Sequence, residues 1–68
     1  MHLSILTERE TDRRWLAEVP ELPGVLAYGQ SPDEAASKVE VLALRVLAER
    51  LEHAESKPIA LGISRPAA

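Results

Sequence analysis

Sixty-eight residues with no cysteine and a net charge of −3 make one domain at most, and a small one. Disulfides are excluded, thiolate zinc sites go with them, and His2 and His53 belong to no ligand-spaced cluster, so neither a metal nor another cofactor is expected. An acidic chain without a basic stripe is a poor binder of nucleic acid, and no apolar run approaches the roughly 20 residues that span a bilayer.

The N-terminus lacks the order of a signal peptide, which together with the missing cysteines suits a cytoplasmic protein. Such short domains gain support from disulfides, a metal or self-association, and only the last remains open to this composition.

The segment HLSILTE alternates Leu3, Ile5 and Thr7 against His2, Ser4, Leu6 and Glu8, the period of a half-buried strand. RETDRR is entirely polar and predicts a hairpin turn, in which the Arg13–Arg14 pair is ordinary solvated charge. RWLAEV alternates again, with Trp15, Ala17 and Val19 on one face, and should pair antiparallel with the first strand. Pro20 has no N–H to continue that ladder. Leu22-Pro23-Gly24-Val25 has the chemistry of a type II turn, with proline second and glycine third. PELPG is therefore a stiff corner leading into the strand VLAYG, which Gly29 ends by permitting an unusual backbone angle.

Ser31-Pro32-Asp33-Glu34 is the strongest local signal. Serine caps, proline fits the first helical position, and Glu34 completes a capping box. Asp33 adds negative charge at the favourable end of the helix dipole. The helix should run from Pro32 to about His53 or Ala54, with Lys57-Pro58 stopping it, IALGI forming a last strand and SRPAA a frayed tail.

Ala35, Val39, Leu42, Ala43 and Val46 share one helix face and should cover the sheet. The expected core is Leu3, Ile5, Ala17, Val39, Leu42 and Val46. A second row, Val41, Leu44, Ala48 and Leu51, points well away at spacings of three, four and three. Either a curled sheet or the tail buries that row, or it is a protein-contact face. A self-associating chain, as a dimer or a dimer of dimers, would use it.

Catalytic readings find little to work with. Asp12 and Asp33 have structural explanations in a turn and a cap, and Glu18 and Glu21 lack an apolar pocket to tune them. Ser4, Ser31, Ser37, Ser56 and Ser64 have no identifiable base. Gly24 and Gly29 form no phosphate-cradling loop. Trp15 and Tyr28 on strands are sheet-packing residues before they are base-stacking platforms.

From Trp15 to Val39 the sequence resembles the HicB-like antitoxin family. The resemblance is carried by Ala17, Val19, Pro20, Leu22, Pro23, Gly24, Gly29, Ser31, Glu34 and Ala35, and extends from Leu3 to about Ile63. Val25 stands where members often have cysteine or another small residue, and Gln30 where they often have aspartate. The resemblance implies an α+β, two-layer β-β-β-α-β fold, like a shortened ribonuclease H fold without its catalytic acids. It also implies a protein that binds and inhibits a small RNA-cleaving toxin, HicA, with no catalytic residue of its own. Members that repress their own operon carry an added DNA-binding segment, for which 68 residues leave no room. Residues 1 to 68 are thus expected to be a single HicB-like domain. A stand-alone oligomeric adaptor without a toxin is the alternative function. A ribonuclease H-like RNA-binding remnant is a third reading, opposed by the acidic balance and the missing acid cluster.

Overall fold

The computed structural model of the chain describes residues 1–53, 58 and 60–66, and over these it is an α+β protein of five strands and one helix. The strands are β1 (His2–Ser4), β2 (Leu6–Arg9), β3 (Trp15–Glu18), β4 (Leu26–Gly29) and β5 (Gly62–Ser64); helix α1 spans Pro32–Glu52 between β4 and β5. β2, β3 and β4 form an antiparallel three-stranded meander, while β1 pairs with β5 in parallel. The expected first strand is therefore one run of chain that changes partner at Ile5. The Ile5 N–H still donates to the Ser64 carbonyl at 2.9 Å, and Leu6 already faces Glu18.

Proline chemistry explains the change. The β2–β3 register would bring Ser4 opposite Pro20, which has no N–H to offer. The chain turns away at that point, and the Glu21 carboxylate accepts the Ser4 N–H instead at 2.9 Å. Two turns follow in succession. The Leu22 N–H donates to the Val19 carbonyl at 2.9 Å, and the Val25 N–H to the Leu22 carbonyl at 3.0 Å. Gly24 has φ +88°, as the third position of a type II turn demands, so PELPG is the stiff corner its sequence predicts.

In the β2–β3 hairpin the Arg13 N–H donates to the Glu10 carbonyl at 3.2 Å, and the Glu10 N–H to the Arg14 carbonyl at 2.8 Å. That is a three-residue loop whose last residue must be left-handed. Arg13 fills this position at φ 71°, the one positive φ outside glycine among the described residues. Asp12 steadies the loop by accepting the Arg14 N–H at 3.2 Å and the Arg14 Nε at 2.6 Å.

Ser31 caps α1 as predicted, its Oγ accepting the Glu34 N–H at 3.1 Å. Glu34 reaches back to the Gln30 N–H at 3.2 Å, one residue earlier than a standard capping box. The helix ends at Glu52 with His53 as C-cap. Ala54, Lys57 and Ile59, named above as helix end, stop and strand start, lie outside the described residues. Ser64, assigned above to the tail, belongs to β5, and Arg65 pairs with Asp33 at 2.6 Å.

The core lies between α1 and the sheet: Leu3, Ile5, Ala17, Val19, Leu22, Val25, Ala35, Ala36, Val39, Ala43 and Leu47 are buried, with Trp15, Ala27, Val46 and Ile63 packed against them. Leu42 corrects the sequence reading, because it is 37% exposed. The buried stripe is centred on Ala35, Val39, Ala43 and Leu47, which advance by four, and Leu42 falls on its margin.

Gly29 is a second correction. Its φ is not in the left-handed region, so no unusual backbone angle requires glycine there. The requirement is space: a Cβ at Gly29 would sit 2.6 Å from the Ala35 nitrogen and 3.0 Å from its Cα. Those atoms are helix backbone and cannot swing aside. Gly29→Ala is expected to destabilise the fold by about 1–3 kcal/mol, the range for overpacking a closed contact. Arg13→Gly is expected to add about 1 kcal/mol by relieving the left-handed strain. Urea midpoints of the two variants against the parent check both signs.

Candidate protein-contact surface

The helix row is where the structure departs most from a self-sufficient domain. Val41 is 50% exposed, Leu44 and Leu51 are each 41% exposed, and Ala48 is exposed beside them. At about 100° per residue Val41, Leu44 and Ala48 lie roughly 120–180° from the middle of the Ala35–Val39–Ala43–Leu47 stripe, whereas Leu51 continues that stripe one turn beyond Leu47. Among the described residues neither the sheet nor the chain after the helix covers them. Of the two readings left open by the sequence, burial by a curled sheet therefore finds no support in the described residues.

A second uncovered region is the outer face of the sheet. Register places Leu6, Glu18 and Leu26 in one cross-strand row, and Glu8, Leu16 and Tyr28 in the next. Leu6, Leu26 and Tyr28 are exposed, and the Arg14 guanidinium lies 4.3 Å from the centre of the Tyr28 ring. Tyr28, expected to pack on the sheet, is instead 39% exposed on this outer face, which corrects the sequence reading. Among the described residues nothing covers Leu6, Leu26 and Tyr28.

Concavities are slight. One open depression of about 280 Å³ lies on that outer face, lined by Leu6, Thr7, Glu8, Leu16 and Glu18. Another of about 170 Å³ lies between α1 and β5, with Ile5, Ser37, Glu40 and Arg65 among its lining residues. Both fall below the roughly 300–1,000 Å³ of small-molecule sites. Among the described residues no group of three or more His, Asp or Glu side chains is placed to share a metal ion. Among the described residues no helix is long and apolar enough to cross a membrane.

Ser64 does have a basic neighbour that sequence order concealed. The parallel pairing of β1 with β5 brings His2 Nε2 to 2.8 Å from Ser64 Oγ. Both residues are exposed, and no carboxylate hydrogen-bonds the other ring nitrogen among the described residues. The contact ties together the paired strands β1 and β5.

Three carboxylates are held below their ordinary range, each chiefly by a backbone N–H. Glu21 is lowered by the Ser4 N–H, Glu34 by the Gln30 N–H and then by Lys38, and Asp12 by the backbone and side chain of Arg14. All three do structural work at a ladder end, a cap and a turn. Comparison with protein-family models, curated proteins and solved structures gave no match.

The depressed carboxylates set an acid limit on the fold. Their stabilisation is complete above the ordinary glutamate value of 4.5 and is lost as pH falls below it. Glu21→Gln and Glu34→Gln should each flatten the fall in urea midpoint between pH 5 and pH 3, with the midpoint measured in half-unit steps. A slope equal to the parent's in both variants would contradict the assignment.

Proposed function

We propose that the chain is a non-catalytic protein-binding module of the HicB-like antitoxin kind, neutralising a small RNA-cleaving toxin by direct contact. The observation that carries this reading is the apolar row Val41, Leu44, Ala48 and Leu51 along the helix, which is exposed among the described residues. An amphipathic helix needs one apolar stripe to lie on a sheet, and this one has two. A row at helical spacing is the surface that helix-in-groove recognition uses.

The α+β order of a meander, a long helix and a last strand parallel to the first supports a shortened ribonuclease H-like fold of the HicB type. The net charge of −3 supports a protein partner over direct contact with nucleic acid, and it suits a basic, RNA-binding toxin. Inhibition then consists of covering the toxin's surface, with no bond made or broken by this chain, in the cytoplasm where such a toxin acts.

The decisive assay pairs the chain with a small RNA-cleaving protein of the HicA kind, sought first in a neighbouring reading frame. The parent should suppress its RNA cleavage at near-equimolar ratio. Leu44→Glu with Leu51→Glu should weaken suppression at least about 100-fold, since each buried leucine is worth roughly 1.5–3 kcal/mol and 1.4 kcal/mol is tenfold. Equal suppression by parent and double variant would remove the row from the contact, and no suppression by the parent would remove the antitoxin reading.

A further inference from the structure

We propose that the chain self-associates through the free edge of β4, forming a two-fold dimer with one continuous sheet, and that the helix row Val41–Leu51 stays outside this contact. The inference does not rest on the antitoxin reading. It starts from hydrogen-bond parity. The Val19 N–H donates to the Val25 carbonyl at 3.1 Å, which makes 19 and 25 a bonded pair. With the β3–β4 register, Ala27 and Gly29 then also turn their backbone groups toward β3. Leu26 and Tyr28 turn theirs to the opposite side, where among the described residues no strand lies.

The free stretch is sharply bounded. On one side the type II turn at Gly24 ends it, and on the other the Gln30 N–H is taken by Glu34. What remains is symmetrical about Ala27. A second copy laid antiparallel would set Leu26 against Tyr28 of the partner, and Tyr28 against the partner's Leu26, with about four new backbone hydrogen bonds. Both pairs fall on the outer face, where Leu26 and Tyr28 are now exposed, and leucine–tyrosine neighbours across strands are favourable. The two small Ala27 side chains meet at the axis.

The helix layer points to the same side. Ser37 and Glu40 line the depression beside β5, so that flank of α1 faces β5. Leu42 lies two residues on, about 200° around the helix, and hence on the flank above β4. Its 37% exposure arises because the sheet stops there. A second copy would extend the sheet under it and bring a second Leu42 near the axis. Lys38, Arg45 and Glu49 border this flank with both signs of charge, so no single-sign repulsion opposes the approach. The edge itself carries none of the usual guards, since Leu26–Gly29 holds no lysine, proline or bulge. β5, by contrast, is followed at once by Arg65 and Pro66.

Sedimentation equilibrium of the full chain at micromolar to submillimolar concentration tests the proposal. The parent should show dimer mass. Tyr28→Pro removes an outward N–H and the ring that would face the partner's Leu26 but none of the hydrogen bonds to β3, and should halve the mass while leaving the far-UV spectrum unchanged. Leu42→Lys, a surface substitution in one copy, should weaken dimerisation at least about tenfold, and it decides the matter if the proline variant does not fold. Leu44→Glu with Leu51→Glu should keep the dimer. A monomeric parent overturns the proposal. So does a dimer that tolerates Leu42→Lys, or one lost through the Leu44 and Leu51 substitutions.

Discussion

The contact on which the rest of the molecule depends is the backbone of Ala35 against Gly29. A methyl group at Gly29 would come within 2.6 Å of the Ala35 nitrogen, so the helix can settle on the sheet at this depth only over a residue with no side chain. Ser31, Pro32 and Glu34 start the helix immediately after β4, leaving two residues between strand and first turn. The chain therefore has to fold back at close range, and the glycine makes the close range possible. Ala35, Ala36, Val39 and Ala43 continue the seam with short side chains, and the larger contributions to the core come from Leu3, Val19, Leu22 and Leu47.

A helix seated on small residues buries a narrow stripe. That leaves two unequal remainders, the exposed row Val41–Leu44–Ala48–Leu51 and Leu42 at the margin of the stripe. Both are consequences of one geometry: a 21-residue helix laid on a sheet whose strands are three or four residues long. The sheet is too small to cover the helix, and the helix covers only one side of the sheet. The surplus apolar surface lies on the helix row, the outer sheet face and the β4 edge, while the polar groups at ladder ends and caps are satisfied locally by Glu21, Asp12 and Glu34. It is on this uncovered apolar surface that the proposed protein contacts rest.

Local chemistry was the legible part of the sequence. The Pro-Gly turn, the Ser31 cap and the β2–β3 hairpin follow from residues close together or from alternation, and Leu3, Ile5, Ala17 and Val39 are buried as their patterns require. Two kinds of feature were not legible. Leu42 sits at the right helical spacing for the core, but spacing carries no information about where the sheet beneath it ends. Gly29 was traced to backbone angle, the commoner reason for a strand-ending glycine, when the cause is a tertiary approach six residues along the chain. The His2–Ser64 contact and the change of strand partner at Ile5 likewise depend on pairing over more than 50 residues. Helical periodicity located the four residues of the apolar row, and the structure added that they are exposed. The β4 edge has no sequence signature beyond the absence of guarding residues, so only the hydrogen-bond parity reveals it.

The central claim is that the uncovered surfaces of this small fold are contact surfaces with separate occupants. Residue-resolved amide NMR of the unmodified chain, followed on serial dilution, tests it most directly. The account predicts shifts confined to Leu26, Ala27, Tyr28 and the helix flank at Leu42, with Val41, Leu44, Ala48 and Leu51 unmoved. Spectra that do not change with concentration, or changes centred on the Val41–Leu51 row, would contradict it.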